Sequence, residues 1–523
     1  MKEILPAHLP PGWQQVPLEG VVIRMSNGIT KRQTKDGQGF AVSRIETISQ
    51  GVVDFSRVGY LADLTPCEVE NYRLHAGDIL FSHINSDLHL GKTAVVSTNA
   101  DPLLHGMNLL LIRADQKKAV PVFLHWLLNY YRVAGLFMSI AQHAVNQSSI
   151  NQAKLKNLPV ILPPLAEQHE IVAEIEKQFT RLEAGVAGLR RVQANLKRYR
   201  AAVLKAACEG KLVPTEAELA REREIVAAAS RRWSSEEQRR RDASATILVE
   251  NAKAEENQSR DGSATQEGQS YETGAQLLER ILTERRHKWT GKGKYKEPAK
   301  SNTANLPPLP EGWAWAALDS ITNALGGYAF ESKKFCDSGF QVLKMANVRM
   351  GRIDLSQRPS FITEVDQEVI DKYKLLDGDV VVTLTGSRKK EDYGYVALIK
   401  NAGPLLLNQR IARLRCVGGA LPAFLEIGMQ SKDFRKRFFS YETGNVGQGN
   451  VGMTAITRES IPVPPLAEQQ RIVAEVDRRL SMVEQLEAVV NANLQRATRL
   501  RQSILQRAFD GNLLNEIPDT ENR

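Results

Sequence analysis

A segment of fifteen residues occurs twice in this chain in nearly the same form. "PPLAEQHEIVAEIEK" begins at Pro163 and "PPLAEQQRIVAEVDR" begins at Pro464, and ten of the first twelve aligned residues are identical. The two copies continue in register, without a gap, to Leu212 and Leu513. A match of this length marks an internal repeat, so the chain is expected to fold as two related halves.

Shorter landmarks extend the repeat towards the start of each half. "LPPGWQQVPL" at Leu9 recurs as "LPEGWAWAAL" at Leu309, and "LHAGDILFS" at Leu74 recurs as "LLDGDVVVT" at Leu375. Between these landmarks the two copies differ widely. Each half therefore consists of a variable domain followed by a segment that is kept nearly constant.

The variable domains have a mixed pattern of short strands and helices. Short β-branched runs bounded by glycine, asparagine and aspartate predict strands and turns. Helices are predicted from Pro121 and from Pro422, where a proline in the first turn opens a long stretch rich in apolar residues. Both variable domains are therefore expected to be of mixed α/β type.

Each constant segment predicts a long helix that ends at Gly210 or at Gly511. A helix of roughly 45 residues would be about 65 Å long. Apolar residues recur every seven positions along both segments, which favours a coiled coil over a stripe that packs on the body of a globular domain. These positions are Ile175, Leu182, Leu189, Leu196 and Val203 in the first copy, and Val476, Val483, Val490, Ala497 and Ile504 in the second.

A long segment of different composition joins the two halves. It starts with an Ala, Glu and Arg-rich stretch that predicts a helix, and it includes a short amphipathic helix, "AQLLERILTERRHKW". Between these, residues 257–274 have almost nothing to bury and predict no fixed structure. The predicted organisation is a first variable domain, a first long helix, a linker, a second variable domain, a second long helix and a tail, at 1–162, 163–213, 214–305, 306–462, 463–514 and 515–523.

Composition limits the function classes. The formal charge is +9, from 69 basic and 60 acidic residues, which moderately favours a polyanionic partner such as nucleic acid. The four cysteines are far apart and form no CxxC pair, so a disulfide framework or zinc knuckle is not expected. No apolar run approaches the roughly 20 residues that span a bilayer. We expect a cytoplasmic protein with no membrane partner.

The repeat also predicts a symmetry. If the two long helices pack antiparallel, the halves are related by a pseudo-two-fold axis. Duplex DNA has local two-fold symmetry, and dimeric DNA readers use it by contacting two half-sites. Since the two domains here differ in sequence, they would read different half-sites, which gives a two-part target that is not a palindrome.

The order of these segments resembles the specificity subunit of a type I restriction-modification system over essentially the whole chain. The resemblance rests on the paired "PPLAEQ" helices, the "EGKLVP" and "LLERI" elements, the Gly-Asp pairs that precede predicted strands, and the tryptophans Trp13 and Trp313. It implies an α+β fold with two target recognition domains, separated by two long helices that form an antiparallel coiled coil.

The resemblance also implies partners and a division of labour. The chain would bind double-stranded DNA, two modification (methyltransferase) subunits, and restriction/translocase subunits. It would supply the target specificity and no catalysis, cofactor or metal site of its own. S-adenosylmethionine, ATP and magnesium are implied for the partner subunits, which methylate adenine and cut unmodified DNA. A coiled-coil adaptor that binds proteins without reading DNA is the alternative.

The sequence gives little support to a catalytic role. "GQGNVG" at Gly447 fits a dinucleotide fingerprint, but it follows no apolar strand and no helix comes directly behind it. There is no Asn-Pro-Pro-aromatic tetrapeptide and no GxxxxGK[ST] phosphate loop. The spacing of His83 and His89 matches no known metal-ligand pattern, so a solvated loop is favoured there.

Basic and amide side chains in glycine-flanked loops are the candidates for DNA contact, because they can neutralise phosphates or read base edges. The loops are "NGITKRQTKDGQG" in the first domain, and "ESKKF" and "TGSRKKEDYG" in the second. Any one such charge can equally be a solvated surface charge. The candidates are Lys31, Arg32, Lys35, Lys333, Lys334, Arg388, Lys389 and Lys390, with Asn347 and Arg349 and their first-half counterparts Thr47 and Ser49.

Overall fold

The computed structural model describes residues 8–49, 51–97, 103–144, 147–249, 271–291, 293–444 and 447–514. The predicted tail, and most of the stretch expected to have no fixed structure, lie outside the described residues. The chain forms two compact units, Met1–Gln193 with Ala488–Arg523, and Ala194–Glu487. Each unit thus contains one variable domain, the start of one long helix and the end of the other.

The first half of the chain ends in a helix of 44 residues. Its strands are β1 (Gln14–Pro17), β2 (Val22–Asn27), β3 (Phe40–Val42), β4 (Gly59–Leu61), β5 (Ile79–Phe81), β6 (Ile84–Asn85), β7 (Thr93–Val95), β8 (Leu110–Ala114), β9 (Gln142–Ala144), β10 (Gln147–Ser149) and β11 (Pro159–Leu162). Its helices are α1 (Pro66–Tyr72), α2 (Pro121–Val133), α3 (Leu136–Ile140), α4 (Gln152–Lys156) and α5 (Leu165–Cys208).

The second half ends in a helix of the same length. The helices from the linker onwards are α6 (Glu216–Val249), α7 (Gly274–His287), α8 (Leu318–Ile321), α9 (Gln367–Tyr373), α10 (Pro422–Gln430), α11 (Lys432–Ser440), α12 (Met453–Arg458) and α13 (Leu466–Phe509). The strands are β12 (Ala314–Ala317), β13 (Thr322–Gly326), β14 (Phe340–Leu343), β15 (Val348–Arg349), β16 (Arg352–Ile353), β17 (Phe361–Ile362), β18 (Asp379–Thr383), β19 (Thr385–Ser387), β20 (Val396–Leu398), β21 (Leu405–Leu407), β22 (Ile411–Cys416), β23 (Gln448–Asn450) and β24 (Ser460–Val463).

The two variable domains share one topology. A four-stranded antiparallel sheet has the order β2-β8-β5-β7 in the first domain and β13-β22-β18-β20 in the second. The strand that opens each domain pairs antiparallel with the strand that leads into the long helix, β1 with β11 and β12 with β24. The predicted internal repeat of mixed α/β domains is therefore confirmed.

The predicted helices from Pro121 and Pro422 are each broken into two. Gly135 separates α2 from α3 with a φ of 82°, a left-handed conformation that glycine adopts without strain. Ser431 separates α10 from α11 in an extended conformation, and its side chain caps α11 by accepting a hydrogen bond from Phe434 N. After each break, a second short helix packs against the first and buries a phenylalanine, Phe137 or Phe438, in the core of its domain.

The repeated Gly-Asp pairs have a structural role in both domains. The buried carboxylate of Asp78 accepts two hydrogen bonds from Arg113, at 2.6 and 2.8 Å. Asp379 does the same with Arg415, at 2.7 Å for both bonds. A paired, doubly hydrogen-bonded carboxylate can be buried next to a strand, whereas an unpaired one would be costly there.

The repeated "PPLAEQ" motif joins each domain to its long helix. Trp13 Nε1 donates to Glu167 Oε1 at 2.9 Å, and Trp313 Nε1 donates to Glu468 Oε1 at 3.0 Å. The neighbouring Gln168 bridges the proline turn to the segment before α2, accepting from Val120 N and donating to the carbonyl oxygens of Lys118 and Pro163. The motif recurs because the same junction is built twice.

The long helices pack antiparallel within each unit. In the first unit Arg501 pairs with Glu183 at 3.0 Å, and Gln193 donates to Asn491 at 3.1 Å. Residue numbers therefore rise along α5 as they fall along α13, which is the pattern of an antiparallel pair. All the predicted stripe positions are buried except three that are half-buried, Leu182, Leu189 and Ala497. The antiparallel pairing predicted for the two helices is therefore confirmed within each unit.

The linker contributes two helices to the second unit. α7 is capped by Thr273 and buries Leu277 and Ile281 against the second domain. α6 begins beside α13, where Glu216 pairs with Arg471, and then exposes large apolar side chains such as Trp233. No helix in the described part of the chain is long and apolar enough to cross a membrane.

Candidate nucleic-acid interface

The basic loop of the first domain follows β2 and is exposed. Thr34 bridges to Tyr60 through two backbone hydrogen bonds, which fixes the loop against β4. Lys31 pairs with Glu68 at 2.7 Å, and together with hydrogen bonds from Thr65 it lowers the pKa of Glu68 to about 2. Arg32 and Lys35 are exposed and have no ion pair among the described residues. The loop thus presents two free cations and one that is paired.

A second basic loop follows β19 in the second domain. Arg388 pairs with Glu442 at 3.0 Å, and the hydroxyl of Tyr393 also donates to Glu442. Lys389 and Lys390 are exposed at the tip of the loop. Lys333 and Lys334 are exposed in a short 3-10 turn elsewhere in this domain. Arg388 is therefore paired, whereas Lys389 and Lys390 beside it have no ion pair within the described part of the chain.

A short ladder brings two distant segments together beside this loop. β19 pairs antiparallel with β23, which places the glycine-rich tract around Gly449 next to the basic loop. A Cβ atom at Gly449 would lie 1.9 Å from Glu442 Oε1 and 2.2 Å from Tyr393 Oη, so a larger residue there would have to displace both side chains. The tract forms strand β23, and α12 begins directly after it at Met453, so the prediction that no helix follows is wrong. The tract is still not a dinucleotide fingerprint, because Gly449 lies within a strand and not in a turn between an apolar strand and a helix.

β23 also carries two amide side chains that were not among the candidates predicted from the sequence. Gln448 and Asn450 flank Gly449 and are exposed. Glutamine and asparagine can form paired hydrogen bonds with adenine in the major groove. The pairing of β19 with β23 places Gln448 opposite Ser387, at the start of the basic loop, and Asn450 opposite Thr385. This pairing is not visible in the sequence.

The first domain has the same ladder between β6 and β10, with a polar cluster beside it. The buried hydroxyl of Ser148 lies between Asp87 Oδ1 at 2.5 Å and His143 Nδ1 at 2.8 Å. In a nucleophilic triad the histidine lies between the acid and the serine. Here the serine hydroxyl donates its hydrogen bond to Asp87, so His143 Nδ1 acts as a donor to the serine oxygen and is not placed to take the serine proton.

His83 and His89, the histidines considered as metal ligands, both have lowered pKa values. Burial lowers the pKa of His83 to about 4, and burial together with Lys92 and Arg132 lowers the pKa of His89. The described residues contain no group of three or more His, Cys, Asp or Glu side chains that could hold a metal ion.

Asn347 lies in the interior, unlike the loop cations. Its side chain is 2% exposed, and it accepts from Lys344 N and donates to the carbonyl oxygens of Asp354 and Gln357. The counterpart Thr47 forms the same type of cap, accepting from Arg44 N at 2.9 Å. The hydrogen-bonding groups of Asn347 are thus used within the fold and none is left for a base.

Arg349 and Ser49 lie next to these capping residues. Arg349 is half-buried and donates to Val348 O and to Gln357 Oε1 at 3.1 Å. Ser49 accepts a hydrogen bond from Arg57 at 3.2 Å. Both residues are therefore engaged in the turn that follows each 3-10 helix, and both are weaker candidates for DNA contact than the exposed lysines.

Comparison with known proteins identifies the family. The model of the type I restriction modification DNA specificity domain matches residues 10–186 and again residues 310–494. The putative type I restriction enzyme MjaX specificity subunit of Methanocaldococcus jannaschii is 45% identical over 174 residues, which are 33% of this chain and 41% of that protein. The type I restriction enzyme EcoKI specificity subunit of Escherichia coli strain K12 is 30% identical over 199 residues, 38% of this chain and 41% of that protein.

The matched regions thus span less than half the length of these relatives. A chain solved in work on complex assembly and conformational transition of the type I R-M system has a TM-score of 0.58 and 19% identity, and the match covers 97% of this chain and 100% of that chain. This likeness supports the fold. Because the family model matches both halves, the chain belongs to the family of type I restriction modification DNA specificity domains.

Proposed function

We propose that the chain is the sequence-specific DNA-recognition subunit of a type I restriction-modification complex, and that it reads an asymmetric target in two parts. The observation that carries this proposal is the double match of the specificity domain, once in each half. The two domains share a sheet topology but carry different loops. Each domain would therefore contribute one block of the target.

The exposed cations are proposed to contact the DNA backbone. They are Arg32, Lys35, Lys333, Lys334, Lys389 and Lys390. Lys31 and Arg388 belong to the same loops, and their exposed ion pairs contribute little stability, so phosphates can compete with the carboxylates for them. Gln448 and Asn450 are proposed as readers of base edges, since they lie exposed on a strand beside the second basic loop.

The chain is proposed to provide specificity and no catalysis. It would assemble with modification subunits that methylate adenine and with restriction subunits that translocate and cut DNA. S-adenosylmethionine, ATP and magnesium would be bound by those partners. The antiparallel helix pairs are proposed as the surface on which the modification subunits dock, since apolar side chains such as Leu486 and Val489 remain exposed there.

The test is a map of methylated adenines in cells that express this chain with its modification subunit. We expect one motif made of two unlike blocks with unspecified base pairs between them. Cells that express the modification subunit alone, or this chain alone, should show no such motif. If the same motif were methylated without the chain, the chain would not be the specificity subunit.

A second measurement tests the contact residues. We expect Lys389→Ala with Lys390→Ala to weaken target binding by the assembled methyltransferase complex, and to reduce the slope of log K against log salt by about 0.9 for each lost phosphate contact. Lys436→Ala, at an exposed position of the same domain outside the loops, is the control and should leave the slope unchanged. An unchanged slope in the double variant would remove this loop from the interface.

A further inference from the structure

The first unit contains a cleft that the proposed DNA interface does not use. Its volume is about 1000 Å³, at the upper end of what small-molecule and peptide sites occupy. α2, the segment before β7, the first part of α5 and the last part of α13 line it. The cleft therefore exists only where the first recognition domain meets both long helices of its own unit.

Part of the cleft wall is apolar. Phe137, Phe179 and Leu505 belong to the buried core and form part of the lining. At the rim, Leu88 is 77% exposed and Val52 is 62% exposed. Exposed apolar side chains around a recess are typical of surfaces that bind another protein.

The interior of the cleft carries cations. Lys92, Arg132 and Arg501 are half-buried lining residues. Arg132 has no ion pair among the described residues, and its Nε is buried without a hydrogen-bond partner there. Arg501 lies 4.2 Å from the ring centroid of Phe179 and pairs with Glu183 at 3.0 Å. The acidic lining residues lie at the rim of the cleft, where Glu183 is 64% exposed. The inner part of the cleft therefore carries a net positive charge.

The pKa directions of the lining cations agree with a cleft interior whose positive charge is not neutralised by nearby carboxylates. Burial and the nearby Arg501 lower the pKa of Arg132, and burial and Arg132 lower the pKa of Lys92. Burial also lowers the pKa of His125 to about 4, which makes this lining residue neutral at pH 7. A bound anion would relieve the repulsion between the cations.

The second domain carries different side chains at the matching positions. Glu426 in α10 takes the place of His125 in α2, but α10 ends at Gln430, so Arg132 in the last turn of α2 has no counterpart in α10. The shared glycine before β7 and β20 places Tyr395 where the first domain has Lys92.

The combination of Lys92 with an Arg132 that has no ion pair within the described residues is thus a feature of the first domain, whereas Arg501 recurs in the repeat as Arg200, which pairs with Glu484. The half-buried Arg435 of the second domain is engaged with Gly394 O and with the ring of Tyr395.

We propose that this cleft binds a segment of a partner protein that carries a carboxylate among apolar side chains, and that each chain binds one such segment. The carboxylate would pair with Arg132 and Lys92, and the apolar side chains would lie between Phe179 and Leu88. Deep apolar walls suit a peptide better than a DNA backbone, which needs exposed cations along an open surface. The inference rests on the proposed function in that the chain assembles with other proteins.

The test uses the full-length chain and a phage-displayed library of random twelve-residue peptides. We expect enrichment of peptides that combine acidic with apolar residues. A fluorescent copy of the enriched peptide should bind at one site per chain, and Arg132→Gln and Arg132→Glu should weaken it about tenfold or more, since a lost charged hydrogen bond has about that effect. Lys117→Glu, an exposed charge reversal in the same domain, should leave binding unchanged.

Target-DNA binding is measured on the same proteins within the assembled complex, which separates the two proposals. Unchanged DNA binding by Arg132→Gln with loss of the peptide supports the cleft as a protein-docking site. Peptide binding that is equal in Arg132→Gln and the parent chain, two sites per chain, or no enrichment of acidic peptides would overturn it. Loss of DNA binding by Arg132→Gln, or competition between a target duplex and the peptide, would assign the cleft to DNA instead.

Discussion

The charged residues of the two domains divide into those that hold the fold and those that remain free. Asp78 and Asp379 are buried and each engages an arginine through two hydrogen bonds. Lys389 and Lys390, by contrast, are exposed at the tip of a loop. Because removal of one member of a buried pair costs roughly 3–5 kcal/mol, the buried pairs are fixed parts of the scaffold. Only the exposed set can vary with the DNA target.

Asn347 and Asn450 provide a test of this division. Asn347→Ala leaves several buried backbone groups without a partner, so we expect it to destabilise the second domain by about 2–4 kcal/mol and to leave the methylated motif unchanged. The exposed Asn450→Ala is expected to do the opposite, with normal stability and a relaxed or weakened motif. Thermal unfolding and methylation mapping of both variants measure this. A normally stable Asn347→Ala protein with an altered motif would restore Asn347 as a base reader.

Elements differ in how far the sequence predicts them. The long helices follow from proline, glycine and the seven-residue stripe, because these signals are local. The breaks at Gly135 and Ser431 were not predicted, since both helical stretches keep their apolar pattern across the break. The pairing of β19 with β23 was not predicted either, because it joins two short segments that have no alternating pattern and are far apart in sequence. The amides of the candidate interface were missed for the same reason.

The junction between Trp313 and α13 gives a pH prediction. Burial raises the pKa of Glu468 from its ordinary value of 4.5. A raised pKa means that Glu468 stabilises the fold most below pH 4.5 and that this contribution is lost as the pH rises through its folded pKa, by about 1.4 kcal/mol for each unit of the shift. We therefore expect the parent chain to lose stability relative to Glu468→Gln between pH 4.5 and 7, as measured by denaturant unfolding. A relative gain over that range would contradict the assigned burial.

The helix pair is tested by two neighbouring valines. Val490 is 5% exposed and Val489 is 57% exposed, so the same substitution at both positions separates burial from helix propensity. Val490→Glu places a charge in the apolar seam of the first unit and should cost about 3 kcal/mol or more. Val489→Glu should change stability by less than about 0.5 kcal/mol. Equal shifts of the thermal midpoint in the two variants would rule out a packed seam at Val490.

At the scale of the whole molecule, some parts of the two halves are nearly identical and other parts differ. The junctions and the helix pairs are built the same way in both halves, as Trp13 with Glu167 and Trp313 with Glu468 illustrate. The loops that carry the candidate DNA contacts differ, and so does the cationic cleft. Each unit has its own core and its own loops, so each is expected to read its block of the target independently of the other.

The most direct measurement of this central claim is a domain exchange followed by a methylation map. Residues 1–160 are replaced by the first domain of another family member, and the chain is expressed with its modification subunit. The junction residues Pro163, Glu167 and Gln168 stay in place, so the exchanged domain can dock on the same helix start. We expect one block of the motif to change while the other block is retained. A map in which both blocks were rewritten would contradict the account of two independent readers.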